Sequence, residues 1–150
     1  MNWERTAATD ASAAPGAVWR TLLDGRRWSE WNAAAEWMVV EDGLVPGRHV
    51  TIKPKRSRQT AFTLEAAIPE RLFAIRVTFG SLAALRLRWT LDPAGPGTRI
   101  GQTVAISGVA AAVLLKKRAE KIAAAMPHDL ERLARRSTEK DAAHTDRVLS

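Results

Sequence analysis

The stretch 98–136, TRIGQTVAISGVAAAVLLKKRAEKIAAAMPHDLERLARR, decides the fold. From Thr98 to Ile106 apolar and polar residues alternate; after Ser107-Gly108 the apolar residues recur every three or four positions. The first spacing is typical of a strand with one buried face, and the second of an amphipathic helix. The sequence therefore predicts a strand that leads into one long helix, from Gly108 to about Arg136, with an apolar stripe that packs under a sheet.

Upstream, the chain predicts a first strand, two short helices and several further strands. A weak strand pattern spans 2–9, and Pro15 favours the start of a helix that ends near Asp24-Gly25. Trp28 and Trp31 are three residues apart, which places them on one face of a second short helix. Turn sequences separate predicted strands at 36–40, 48–53, 59–67, 72–79, 85–91 and 98–106. We predict an α+β fold whose antiparallel meander has one apolar face.

The composition is that of a single globular domain. The chain has 150 residues, of which 46% are hydrophobic, and this length suits one domain with a real core. We predict a domain at 1–136 and a flexible polar tail at 137–150. The sequence has no cysteine, which excludes disulfides and thiolate chemistry. Neither a secretory signal nor a membrane-spanning run is recognisable, so the expected location is the cytoplasm.

The chain is strongly basic, with a formal charge of +7. Its cations cluster in a predicted hairpin (Lys53, Lys55, Arg56, Arg58) and early in the long helix (Lys116, Lys117, Arg118, Lys121). Such clusters are either solvated surface or sites that attract an anionic head group or a membrane surface. We expect the apolar run 109–115 beside the second cluster to pack under the sheet. No motif for reading a nucleic-acid groove accompanies the charge, which does not favour a nucleic-acid partner.

Motifs that carry chemistry are scarce. His49, His128 and His144 lack the spacing of metal ligands, and no nucleophile elbow or phosphate-binding loop occurs. The sequence therefore predicts neither a metal nor a cofactor. Glu36, expected near the mouth of a cavity, is the one carboxylate worth testing as a catalytic base.

Taken in order, several short motifs carry a resemblance to a known family. They are Ala14-Pro15-Gly16-Ala17-Val18-Trp19, Leu23-Asp24, Trp28-Ser29-Glu30-Trp31-Asn32, Pro46-Gly47, Gly97-Thr98-Arg99-Ile100 and Gly108. With these, residues 3 to 136 resemble the polyketide cyclase/dehydrase (SRPBCC) branch of the START-like, pollen-allergen-type helix-grip superfamily. The resemblance implies a curved antiparallel sheet of about seven strands that wraps around the C-terminal helix, with two short helices after the first strand. It also implies an internal hydrophobic cavity.

On the helix-grip arrangement, the strands and the helix predict the lining of that cavity. The predicted ligand-binding residues are Trp37, Val39, Phe62, Leu64, Phe73, Ile75, Val77, Phe79, Leu87, Trp89, Ile100, Gln102, Val104, Leu115, Ile122 and Met126. Gln102 is the polar member, because it shares the strand parity of Ile100 and Val104 and should point inward. A buried amide requires a hydrogen-bond partner, either in the protein or on a ligand.

The leading functional expectation is a protein that binds or carries a small hydrophobic ligand, of which an anionic amphiphile is one candidate. The alternative is a cyclase/dehydratase-like enzyme that uses the same cavity. The sequence does not decide between the two, and it favours binding without catalysis. A third reading is an interaction module that uses its basic hairpin, and transient contact with a membrane surface is compatible with the charge pattern.

Overall fold

The computed structural model describes the backbone of residues 2–41 and 43–149, and the side chains of these residues as far as Ala143. The strands are β1 (Asn2–Ala11), β2 (Ala35–Val40), β3 (His49–Pro54), β4 (Thr60–Ile68), β5 (Leu72–Phe79), β6 (Ala83–Ala94) and β7 (Gly97–Ser107). The helices are α1 (Pro15–Leu23), a 3₁₀ helix (Gly25–Glu30), α2 (Ala111–Leu114) and α3 (Lys116–Leu149).

The strands form one antiparallel sheet in the order β1-β7-β6-β5-β4-β3-β2. Consecutive strands pair with each other, except that β1 returns to pair with β7, from Asn2 opposite Ser107 to Ala11 opposite Thr98. The sheet curls around α3, which contacts β1, β7 and α1. This arrangement confirms the predicted α+β helix-grip fold, including the two short helices after β1.

The inward face of β2 differs from the prediction. A register shift between Ala35 and Trp37 changes the alternation, so Ala35 and Met38 are buried while Val39 is 54% exposed. The expectation that Val39 lines the interior is therefore wrong, because a bulge moves the following side chains to the other face. Trp37 is half-buried.

The C-terminal helix is both interrupted and longer than predicted. Its backbone breaks at Leu115, where φ is -123°, which leaves α2 as a separate turn. Ser107 is the last residue of β7, and Ala110 is the N-cap residue of α2. α3 continues past Arg136 to Leu149, and Lys140 Nζ lies 3.4 Å from Asp24 Oδ2. The predicted tail therefore begins inside the helix, where ion pairing to the residue after α1 favours the helical conformation.

The residues just before α3 also differ from expectation. Ala111 and Leu115 are buried, whereas Val109, Val113 and Leu114 are 85%, 88% and 51% exposed. The expectation that the whole run 109–115 packs under the sheet is wrong, because the single turn of α2 presents only one side to the protein. In the described part of the chain, no helix has the length and apolarity needed to cross a membrane.

Candidate functional site

An aromatic cluster fills the space between the sheet and α3. Trp28, Trp31 and Trp89 pack with ring centroids 5.0 to 6.5 Å apart, and Phe73 lies 5.8 Å from Trp89. All four side chains have at most 1% exposure. Trp28 lies on the 3₁₀ helix and Trp31 directly follows it, and their rings pack together as their spacing predicted. The region for which a cavity was expected is thus occupied by the protein's own aromatic rings.

The structure brings most of the predicted ligand-binding residues to this interior. Eleven of them are buried: Phe62, Leu64, Phe73, Ile75, Leu87, Trp89, Ile100, Gln102, Val104, Leu115 and Met126. Three are half-buried: Trp37, Val77 and Ile122. Phe79 keeps the strand parity of Phe73 and Ile75 but is 38% exposed at the end of β5, so it lies at the rim of this interior. Their burial shows where these side chains lie, and their role in ligand binding stays a prediction.

Three buried polar atoms lie in this otherwise apolar region without a hydrogen-bond partner among the described residues. They are the indole Nε1 of Trp31 and of Trp89, and the amide Oε1 of Gln102. Trp89 and Gln102 are paired across β6 and β7, so their side chains lie on one face as close neighbours. Trp28, in contrast, donates its indole N–H to the Leu22 carbonyl at 2.8 Å. The interior around Trp89 therefore contains two indole N–H donors and one amide oxygen acceptor that have no partner among the described residues.

A buried carboxylate closes one side of the aromatic cluster. Asp129 of α3 is 5% exposed and accepts hydrogen bonds from the Ala33 N–H at 3.1 Å and from Arg132 at 2.6 Å. Arg132 also donates to the Trp31 carbonyl at 3.1 Å. Burial raises the pKa of Asp129, and these hydrogen bonds, with the charges of Arg132 and Lys55, oppose that rise. Together, Asp129 and Arg132 attach the segment after the 3₁₀ helix to the middle of α3.

The predicted catalytic candidate lies elsewhere. Glu36 is exposed on β2, and its Oε2 is 3.7 Å from Lys53 Nζ. An exposed carboxylate paired with a lysine lacks the desolvation that tunes an acid or base. Asp129, which the sequence analysis did not single out, is the buried acidic side chain among the described residues. A signal for it was present, because Asp129 follows Met126 and precedes Leu133 along the apolar stripe of α3.

Two concave regions stand out along the described residues, and both open to the surface. The larger, about 420 Å³, lies between β1 and α3 and is lined by residues that include Trp3, Ala7, Met126 and Pro127. Met126 is itself 1% exposed and belongs to the core, so the floor of this groove is continuous with the interior. The smaller, about 140 Å³, lies where α1 meets α3 near Asp24 and Lys140.

The helix beside the groove is weakened at one point. Pro127 lies inside α3 and has no N–H to donate to the Ala123 carbonyl, and both residues line the groove. α3 therefore lacks one backbone hydrogen bond where the groove meets the core.

Solved structures show that this architecture, a curled antiparallel sheet around a C-terminal helix, recurs in other proteins. The chain is similar to Ara h 8.0201 (TM-score 0.67, 9% identity, 93% of this chain and 99% of that chain). It is also similar to protein MLL2253 from Mesorhizobium loti (TM-score 0.67, 16% identity, 89% and 95%). A third is the di-domain ARO/CYC StfQ from the steffimycin biosynthetic pathway (TM-score 0.69, 16% identity, 95% and 53%). No curated protein matches the chain in sequence.

These likenesses define the class as a helix-grip protein. Residues 3–138 match the family model described as polyketide cyclase/dehydrase and lipid transport, and the chain belongs to that family.

Proposed function

We propose that the protein binds a small hydrophobic molecule carrying one polar group, between the concave face of the sheet and α3. The observation that carries this proposal is the cluster of unpartnered atoms, Trp31 Nε1, Trp89 Nε1 and Gln102 Oε1, within the described interior. Buried polar groups are almost always hydrogen-bonded, so a cluster of such atoms indicates a partner outside the chain. Membership of a family that includes lipid transport supports the same reading.

The chemistry of the three atoms specifies the polar group. Two N–H donors require an acceptor oxygen, and the amide oxygen of Gln102 requires a donor hydrogen. A hydroxyl group supplies both, as does a protonated carboxyl group. The surrounding rings of Trp28, Trp31, Trp89 and Phe73 match a flat aromatic or polycyclic body, because such surfaces stack and pack well against indoles.

The groove between β1 and α3 is the proposed route inward. The interior is filled by aromatic side chains, so a ligand enters only if side chains or part of α3 move. Pro127 lowers the cost of such movement at the groove, because the Ala123 carbonyl does not lose a helical hydrogen bond when α3 bends there. Affinity then comes from burial of the ligand's apolar surface at about 25 cal/mol per Å², minus the cost of opening.

The second candidate is a cyclase/dehydratase-like enzyme in the same interior. The family description supports it, and so does the raised pKa of Asp129, since a buried carboxyl group that protonates easily suits proton transfer. Glu36 remains a weaker candidate for the base because it is exposed. If Asp129 acts in this way, Asp129→Asn abolishes turnover of a bound polyketide-like chain while its binding persists.

The test compares two ligands that differ by one group, 2-naphthol and 2-methylnaphthalene. We expect wild-type protein to bind 2-naphthol one to one, measured by calorimetry, and about tenfold more tightly than 2-methylnaphthalene. Gln102→Leu should reduce that preference, because only the two indole donors would remain. Gln59→Leu, a matched change at an exposed glutamine, should leave it intact.

Two results would contradict the proposal in different ways. Failure of both compounds to bind saturably would overturn the internal site as a whole. If wild type and Gln102→Leu prefer 2-naphthol over 2-methylnaphthalene to the same degree, Gln102 does not contact the hydroxyl group. The proposal of an internal apolar site would still hold.

A further inference from the structure

One end of the molecule carries an exposed apolar surface formed by two adjoining loops. We call it the apolar tip; it consists of Phe79, Leu82, Val109, Val113 and Leu114, which are 38%, 52%, 85%, 88% and 51% exposed. Phe79 and Leu82 flank the β5–β6 turn, and the other three lie in and beside α2. Isolated exposed apolar residues are ordinary, but five on two neighbouring loops form one apolar surface, which is typical of an interaction site.

Specific contacts hold the two loops together. The Ala110 N–H donates to the Leu82 carbonyl at 3.0 Å, and the Leu82 N–H donates to the Phe79 carbonyl at 3.2 Å. Gly108 has φ +110°, and a Cβ atom there would collide with the Leu82 carbonyl. The close approach therefore requires glycine, and it fixes the apolar side chains of both loops as one surface.

Cationic side chains lie next to the apolar tip along the chain and at the same end of the sheet. Lys117, Arg118 and Lys121 are exposed in the first turns of α3, directly after the tip, with Glu120 as the acidic residue among them. The β3–β4 turn adds the exposed Lys55, Arg56 and Arg58. Because β4 begins where β5 ends, this turn lies at the same end of the sheet as Phe79 and Leu82.

We propose that this end of the protein docks on an anionic lipid membrane. Apolar side chains that project from a rim of lysine and arginine match the two layers of such a surface, the acyl boundary and the negatively charged head groups. Charge complementarity decides against a second copy of this chain as the occupant. The tip of a second copy would bring the same cationic rim with it, and the two rims would repel.

The test measures partitioning onto vesicles, with no ligand present. We expect the wild-type chain to co-sediment with vesicles of phosphatidylglycerol and phosphatidylcholine at low salt, and only weakly with phosphatidylcholine alone. Val109→Asp with Val113→Asp should reduce partitioning at least tenfold, because both side chains would leave the apolar boundary. Lys117→Glu with Arg118→Glu should reduce it at least as much, since each lost cation costs about fivefold.

Matched controls lie at the opposite end of the sheet. Val45→Asp with Ile68→Asp changes two residues that are 49% and 53% exposed, and Arg48→Glu with Arg71→Glu reverses two exposed charges. We expect both control pairs to partition like wild type, apart from a small uniform effect of net charge. Circular dichroism would verify that every variant is folded.

Three outcomes overturn the proposal. The first is no preference for anionic over neutral vesicles. The second is an equal loss of partitioning in the control pairs, which would show a non-specific effect of charge or polarity. The third is a stable dimer in sedimentation velocity that Val109→Asp with Val113→Asp dissociates, which would assign the apolar tip to a second copy of the chain.

Discussion

Trp89 and Gln102 lie opposite each other on β6 and β7, and each contributes a buried polar atom that has no hydrogen-bond partner in the described part of the chain. Neighbouring side chains with a donor and an acceptor would ordinarily satisfy each other. Here both groups are left unpaired, which lowers the stability of the empty protein. In the proposed function, a hydroxyl-bearing ligand would supply the hydrogen bonds that these two atoms lack. The proposed site therefore predicts that removing one of these polar groups stabilises the empty protein and weakens ligand binding.

We predict that Gln102→Leu stabilises the empty protein by about 1–2 kcal/mol, because an apolar side chain of similar size replaces a buried amide oxygen that has no partner among the described residues. Urea unfolding followed by tryptophan fluorescence measures the change. Gln59→Leu, at an exposed position, should stay within about 0.5 kcal/mol of wild type. A Gln102→Leu variant that is less stable than wild type would show that the amide is satisfied in solution.

Asp129 makes the stability of the protein depend on pH in a defined direction. Because burial raises its pKa in the folded state, the folded protein binds this proton more tightly than the unfolded chain does. Its contribution to stability is therefore greatest at low pH and is lost as the pH rises through the folded-state pKa. Relative to Asp129→Asn, wild type should gain free energy of unfolding as the pH falls from 7 to about 4. Denaturation of both proteins at each pH measures this difference; a relative loss by wild type on acidification contradicts the prediction.

Gly25 begins the 3₁₀ helix where it packs on β2, and a Cβ atom there would collide with the Met38 carbonyl. Since both partners are backbone, we expect Gly25→Ala to destabilise the protein by about 2–4 kcal/mol. Gly16→Ala is the matched control. Its Cβ would meet only the flexible ends of the Glu70 and Arg20 side chains, and alanine favours the helical conformation of α1. Thermal unfolding should show a large loss for the first variant and little or no loss for the second.

Pro127→Ala should restore an N–H donor to the Ala123 carbonyl within α3. We predict an increase of about 1–3 kcal/mol in stability and slower hydrogen exchange in 123–128. If the helix must bend at this point to admit a ligand, 2-naphthol should also associate more slowly. Unchanged association kinetics together with increased stability would place the entrance elsewhere.

Regular alternation made most of the sheet predictable. The bounds of β5 coincide with the predicted 72–79, since strict apolar alternation and turn residues mark both ends. The parity of β2 was not predictable, because a bulge leaves no mark in the order of polar and apolar residues. The extension of α3 to Leu149 was missed for a related reason. The ion pairs of Lys140 with Asp24 and of Asp141 with Arg20 join residues that are distant in sequence.

For the candidate site, the sequence predicted which side chains are buried but not which polar atoms lack a hydrogen-bond partner. The burial of Gln102 follows from the parity of β7 and is confirmed. That its Oε1 lacks a partner among the described residues depends on where Trp31 and Trp89 pack, which no local pattern encodes. The exposure of Val113 also escaped prediction, because an apolar run gives no sign of the single helical turn that directs it to solvent.

The pairing of Asn2 with Ser107 determines when the sheet can close during synthesis of the chain. β1 is made first, but its partner strand β7 is made about 100 residues later, which takes about 5–20 s at ordinary rates of synthesis. During that interval, the residues that line the groove from β1, such as Trp3, have neither β7 nor α3 to pack on. The sheet closes only after β7 and α3 have been made, so a molecule can be enclosed only once both elements are available to fold.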